Sequence, residues 1–416
     1  MTDPGRPSPQ RRLLVHVAVA VAIHALASAA FLAYPKSSGY FAKGKNFAYD
    51  DIILYHGFAA PILEGRWPYR DYPVEYPILS IPIFAGPLVA GKDFATYKYA
   101  FVVEMLLVDA LLAYLVARRA GASGGIGRVP VALAWYSAFF LALCPLVVVR
   151  FDLVPTLLGF LAACWFSSGR TVRGGIAAAL GVLVKIVPVV ILPPLMAIGD
   201  DWRSKAKGLA AFSLTLGVGG AAWLWLGGEG VLRTFRYHGE RGLEIESLAA
   251  SGYMVAHKLA GVLIFSHFSH GGFNLSGPGA RDAARLSPII QAALLVLVAA
   301  RARRAGPSES LRFAAAGLLA FLVFGKVLSP QYLIWLFPFL AVLDGPRATA
   351  ARWLFLACCV LTTMIYPNRF GALMAFRDDA VVILAVRNVG LVVLFALMIG
   401  PTRPYPLNLD NFKSEI

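Results

Sequence analysis

The sequence predicts an all-α polytopic membrane protein, and three observations carry that prediction. Only 15% of the residues are charged and 58% are hydrophobic, with a mean hydropathy of +0.68; a soluble domain is nearer a quarter charged. Apolar runs of roughly 17–25 residues, the length that crosses a ~30 Å hydrocarbon core, recur from end to end. Lys and Arg collect in alternate connections between those runs, as the bias toward cytoplasmic loops requires. The third observation also accounts for the net charge of +15. The basic excess is a topology signal, so no nucleic-acid partner is expected.

About twelve spans follow, near 13–34, 97–117, 129–148, 152–167, 174–185, 187–199, 208–227, 286–302, 312–326, 329–343, 352–366 and 381–400. The first, behind Arg11 and Arg12, is too long for a signal-peptide core and reads as a retained helix despite the Ala27-Ser28-Ala29 triplet. With residues 1–12 as a disordered cytoplasmic tail, the basic connections all fall inside, and 401–416 form a cytoplasmic C-tail. Residues 13–400 make a single membrane domain with outer loops at about 35–96 and 228–285. The segment 76–90 (YPILSIPIFAGPLVA) is apolar but short and interrupted by prolines, so it reads as an interfacial or re-entrant piece. The run 174–199 carries Lys185 and Pro188 at its middle, which splits it into two short helices meeting at a polar vertex. Cys144, Cys164, Cys358 and Cys359 lie in apolar runs with no metal-binding spacing and read as packing residues.

On this map the unusual polar residues gather on the extracytoplasmic side. The stretch YDDIILYHGFAAPILEGRWPYRDYPVEYP holds Asp50, Asp51, Tyr55, Arg66, Tyr69, Arg70, Asp71, Glu75 and Tyr76. The turn VVVRFDLVP adds Arg150 and Asp152, the broken run adds Lys185, and FGKVLSPQYLIW adds Lys326, Gln331 and Tyr332. The loop 228–285 contributes Arg233, Arg236, Tyr237, His238, Glu240, Arg241 and further histidines. Intramembrane and juxtamembrane charge marks functional sites by default. Carboxylates facing cations suit one chemistry in particular: an Asp takes a proton from a hydroxyl nucleophile, while Arg and Lys hold a phosphate leaving group. Aromatic residues of RWPY and EYP offer faces to sugar rings, or form a membrane-interface belt. Structural readings stand beside these. An Asp-Asp pair is also a solvated turn, Arg150 and Asp152 also a snorkelling hairpin pair, and Glu104 and Asp109 inside the second span also satisfy neighbouring helices.

Taken together, four segments resemble a known family: D-IILY with LEGRWPYRDY-VEYP, then VRFDLVPTLL, LVKIVPVVILPPL and KVLSPQYLIWLFPFL, spanning residues 51–340. They are similar to the GT-C integral-membrane glycosyltransferases of family 87, which include polyprenol-phosphate-mannose-dependent α-mannosyltransferases of mycobacteria. The resemblance implies a GT-C fold and inverting transfer of a hexose, mannose above others, from a polyprenyl-phosphate sugar to a lipid-linked or glycan acceptor. It places the enzyme in the bacterial cytoplasmic membrane with its site facing outward. By position it implies Asp51 as base, four residues before Tyr55, with Asp50 its neighbour. No cofactor is called for; a divalent metal at Asp50 and Asp51 is compatible with the reading but not required by it. Tyr76-Pro77-Ile78 departs from a second proline in many relatives. Two other functions stand against this one: a lipid-linked glycan polymerase or ligase, which would want an arginine-rich outer loop, and a lipid-linked sugar transporter or flippase. A transporter would want polar access from both faces and inverted repeats, and no repeat is evident.

Overall fold

The computed structural model describes residues 8–33, 50–199 and 201–401. Helix α1 is Pro9–Ala33, and α2 (Asp50–Ala59) runs into a 3-10 turn at Ala60–Glu64. A short α3 (Ser80–Ala85) and the 3-10 turn Gly86–Val89 precede the long α4 (Phe94–Gly124). Next come α5 (Arg128–Ala142), the single turn α6 (Cys144–Val147), α7 (Leu153–Ser167) and α8 (Thr171–Val184). A 3-10 turn at Val187–Ile191 leads to α9 (Leu192–Ala197), followed by α10 (Trp202–Gly227), α11 (Gly230–Glu240), strand β1 (Leu243–Glu244) and α12 (Leu248–Ala260). The hairpin β2 (Phe265–Ser269) and β3 (Gly272–Ser276) is followed by α13 (Ala280–Ala302) and α14 (Ser310–Val323). A 3-10 stretch Pro330–Leu336 continues as α15 (Phe337–Ala341), and α16 (Ala348–Ile365), α17 (Phe370–Met374) and α18 (Asp378–Ile399) complete the order.

Among the described residues, six helices are long and apolar enough to cross a membrane: α1, α4, α10, α13, α16 and α18. Each coincides with an expected span, and the chain is an all-α polytopic membrane protein. The other six expected spans fall on shorter pieces, α5–α6, α7, α8, the turn with α9, α14, and Pro330–Ala341. Their shortness has a cause in the sequence. Pro188 stands three residues beyond Lys185, where α8 stops in an extended C-cap, and Pro330 opens the 3-10 stretch after Lys326. Broken helices expose backbone that a lipid environment does not satisfy, so they are confined to places where protein or a cavity covers them. Ser80–Val89, the expected interfacial piece, is only about 15–20 Å long by helical rise, short of a ~30 Å core.

The stretch 228–285 departs from the all-helical expectation. Its three strands form one small antiparallel sheet in the order β1-β3-β2. The hairpin turns at His270 and Gly271, both at positive φ (50° and 67°), the geometry a two-residue hairpin loop needs. Helices α4 and α12 are capped by side chains at their starts. Asp93 accepts from the Thr96 amide (2.9 Å) to start α4, and Ser247 accepts from Ala250 (3.1 Å) to start α12.

One buried polar network crosses three helices. His24 of α1 bridges Asp109 Oδ2 (2.7 Å) and Ser137 Oγ (2.9 Å), and the Tyr136 hydroxyl donates to Asp109 Oδ1 (2.8 Å). His24 and Asp109 are fully buried, so the network ties α1 to α4 and α5 where an unpaired charge would be costly. Helices α8 and α10 touch through glycine: a Cβ on Gly175 would stand 2.0 Å from the Gly208 carbonyl oxygen, so this crossing admits no side chain. The cysteines are all free and buried, in keeping with packing roles.

Candidate active site

A cavity of about 990 Å³ opens where the broken helices end and the 228–285 insertion folds over them. Its first wall is the start of α2. Asp51 lies in the first helical turn, where the helix dipole favours a negative charge. One turn on, Tyr55 is buried, stacked on Phe84 (centroids 4.5 Å, 4° between planes) and edge-on to Phe151 (5.4 Å, 89°), which fixes the helix against α3 and the α6–α7 link. Asp50 opens the same helix; its side chain lies outside the described residues.

The second wall is the link between α6 and α7. Arg150 forms an ion pair with Asp51 and reaches the Tyr366 hydroxyl (3.4 Å). Asp152 is not among the residues that line the cavity and is fully buried. Its Oδ1 accepts hydrogen bonds from Lys185 Nζ (2.7 Å) and from the Trp335 indole (2.7 Å). The third wall is the end of α8, where the Lys185 ammonium sits over the rings of Phe151 (4.9 Å), Tyr332 (5.4 Å) and Trp335 (5.4 Å). A carboxylate behind it and aromatic faces around it hold this cation at the cavity surface with little freedom to move.

The remaining walls join the end of α14 to the insertion. Lys326 lines the cavity but donates to the carbonyls of Gly239 and Arg241 (2.7 Å each), tying the end of α11 in place. Gln331 and Tyr332 line it as well, Tyr332 stacked on Trp335 (4.2 Å, 19°). Glu75 and Tyr76 close the side next to α11, with His238 donating to the Glu75 carbonyl (2.9 Å) as the Nε2–H tautomer. Burial depresses the His238 pKa, so the ring stays neutral; burial, with Glu75 adding to it, pushes the Tyr237 hydroxyl well up.

Four residues singled out in the sequence stand elsewhere. Tyr69 is buried in a separate cluster with Val74, Trp223 and Val231, and its hydroxyl donates to the Tyr76 carbonyl (2.7 Å). Asp71 accepts from the Trp67 amide (2.6 Å), Arg70 is exposed beside it (3.7 Å), and Arg66 lies over Tyr72 (5.3 Å). RWPYRDY therefore braces the loop against α10 and α11. The structure brings Asp51, Glu75, Tyr76, Arg150, Lys185, Lys326, Gln331 and Tyr332 to one cavity, with Tyr55 and Asp152 directly behind its wall.

Sequence reasoning gave no role to three groups that the fold adds: Glu244, Glu246 and Tyr366. Glu244 Oε1 accepts from Ser329 (2.9 Å), and the main-chain carbonyl of Glu246 is held by Arg387 (3.1 Å) and Asn388 (3.2 Å). Burial pushes the Glu246 carboxyl up to about 8, opposed by Arg387 and reinforced by Glu244. The only hint in the sequence is a Glu-x-Glu pair after Arg241. Among the described residues, no group of three or more His, Cys, Asp or Glu is placed to hold a metal ion.

Chemically, the cavity presents a carboxylate paired with a guanidinium, a caged ammonium, and aromatic faces, a combination suited to a phosphate and a polyol together. No curated protein matches the chain. A profile of glycosyltransferase family 87 matches residues 75–330, a stretch that holds Arg150, Asp152, Lys185 and the whole insertion, while Asp51 precedes it. The match takes in more than half of the sequence, and the chain belongs to glycosyltransferase family 87.

Proposed function

We propose that the protein transfers a hexose, mannose above others, from a polyprenyl-phosphate sugar to a hydroxyl of a lipid-linked or glycan acceptor at the extracytoplasmic face, with inversion at the sugar carbon. The observation that carries this reading is the ion pair between Asp51 and Arg150 on the cavity wall, with Lys185 fixed nearby. Arg150 is a bidentate phosphate ligand by chemistry. When the donor phosphate engages it, the guanidinium is drawn from Asp51, whose carboxylate is then free to accept a proton.

The step balances as follows. Asp51 takes the proton of the acceptor hydroxyl, and the oxygen attacks the anomeric carbon. The bond from that carbon to the phosphate oxygen breaks, and its electron pair leaves with the lipid phosphate. Arg150 and Lys185 hold the charge that gathers on the leaving group. Preorganised donors of this kind stabilise a transition state by about 3–4 kcal/mol each. A monophosphate leaving group develops less charge than a diphosphate, so two fixed cations suit it and the reading requires no metal.

The test is purified protein with a panel of polyprenyl-phosphate sugars, scoring release of the lipid phosphate with acceptor present. Release from one member of the panel, lost in Asp51→Asn, is the expected result. Transfer from a nucleotide sugar in its place would overturn the donor assignment.

A further inference from the structure

Glu244 ends β1, and Glu246 follows two residues later in the turn that the Ser247 amide closes on the Glu244 carbonyl (3.0 Å). Both line the cavity, on a wall contributed by the insertion and separate from the one that carries Asp51. Both are more than nine-tenths buried (7% and 2% exposed), yet Glu244 Oε2 and Glu246 Oε1 accept no hydrogen bond within the protein. The nearest cation to Glu246 Oε1 is Arg387 Nη2 at 3.5 Å, and the nearest to Glu244 Oε1 is Arg241 Nη2 at 3.7 Å. Buried carboxyl oxygens without partners are costly, and each one in a native structure calls for an explanation, a group that completes it among them.

Their surroundings hold them in place. Ser329 fixes Glu244 Oε1 and leaves Oε2 without a donor. The Glu244 amide donates to the Lys326 carbonyl (2.9 Å) and the Ile245 amide to Phe273 (2.9 Å). Asn388 and Arg387 clamp the Glu246 carbonyl from α18. Three separate elements therefore position two oxygens whose hydrogen-bonding capacity the protein leaves unused.

We infer that Glu244 and Glu246 form the acceptor subsite, binding vicinal hydroxyls of a sugar-bearing acceptor. The ligand class follows from the chemistry of the oxygens. A phosphate brings no hydrogen to an unfilled acceptor oxygen, whereas adjacent sugar hydroxyls donate to such oxygens in pairs. Burial keeps Glu246 protonated near neutrality, so the wall offers a donor beside an acceptor, matching the dual character of a diol. Phe268 and Phe273 of the hairpin line the same wall and offer apolar faces to a ring. The inference rests on the transfer reading above and narrows its acceptor to a glycan or glycolipid in place of a plain lipid alcohol.

The experiment uses octyl α-mannopyranoside as probe, with octanol as control, and measures binding to the full-length protein in detergent by calorimetry. Wild type is expected to bind the glycoside and not octanol, and each glycoside lacking one hydroxyl of the recognised pair to bind at least tenfold more weakly, because a buried acceptor is left unpaired. Glu244→Gln is expected to weaken the parent glycoside about tenfold. Equal binding of the parent and every monodeoxy glycoside by wild type would overturn the subsite, whatever the variant does. Wild-type affinity in a monodisperse Glu244→Gln protein would overturn it as well. If glycoside binding behaves as expected but no polyprenyl-phosphate sugar releases its phosphate, the transfer reading fails and the subsite stands.

Discussion

The pair of Lys185 and Asp152 separates catalysis from stability in a way that one substitution cannot. Their side chains are 12% and 1% exposed and meet at 2.7 Å, and Asp152 also holds the Trp335 indole at 2.7 Å. Lys185→Met removes the cation and leaves Asp152 as a buried charge with only the indole N–H for company, at a cost of about 3–5 kcal/mol of stability. The loss of contact with three aromatic rings adds about 0.5–2 kcal/mol. In the double variant Lys185→Met with Asp152→Asn, the remaining side chain is neutral and its amide oxygen still accepts from Trp335. Most of the destabilisation should therefore return, leaving roughly 1–2 kcal/mol, the loss expected of a few weaker contacts. Turnover should not return: both variants lack the proposed phosphate cation and should transfer at about a hundredth to a thousandth of the wild-type rate. The assays are unfolding in mixed micelles of increasing SDS and release of lipid phosphate from the donor. Single and double variants of equal stability would refute the coupling of the two charges. Wild-type turnover in a folded Lys185→Met protein would make the lysine purely structural.

Asp51→Asn keeps the shape of the side chain but not its basicity, and should cut transfer by about 10²–10⁴-fold with donor binding intact; Asp50→Asn should be milder, and the reverse order would shift the base by one residue. If the basic connections are cytoplasmic, Gly127→Cys should resist an impermeant thiol reagent in intact cells while Arg233→Cys reacts, against a background of four buried native cysteines; labelling at Gly127 alone would invert the map. Glu246 is protonated up to about pH 8 in the folded chain, against an ordinary value near ~4.3 unfolded, so folding takes up a proton. Its contribution to stability is therefore fully present below about pH 4 and is lost as pH rises through about 8. The difference in unfolding midpoint between wild type and Glu246→Gln should drift against wild type from pH 5 to 8.5, and a constant difference would contradict that proton uptake.

The membrane class and the six long helices were legible because hydropathy is a local property, readable over any window of about twenty residues. The broken helices were legible for the same reason: Lys185 with Pro188, and Lys326 with Pro330, are breaks written within a few positions of each other. RWPYRDY was not legible. Its aromatic and basic composition is the same whether it lines a cavity or braces a loop, and only Tyr69 turning into the cluster with Trp223 separates the two. The small sheet escaped because β1 is two residues long, too short for an alternation to show against noise. Glu244 and Glu246 escaped with it, since an outer-loop Glu-x-Glu is ordinarily a solvated stretch.

The sequence by itself determined the solvent in which this chain folds, the order of its apolar segments, and through four segments the glycosyltransferase family it joins. Tertiary structure decided which of those polar residues belong together. Arg150 and Asp51 are 99 positions apart and pair; Trp335 and Asp152 are 183 apart and share a hydrogen bond; Arg387 reaches Glu246 across 141. Charge and hydrogen-bond partnership depend on separation in space, falling off over a few ångströms, and that separation is set by how the helices pack.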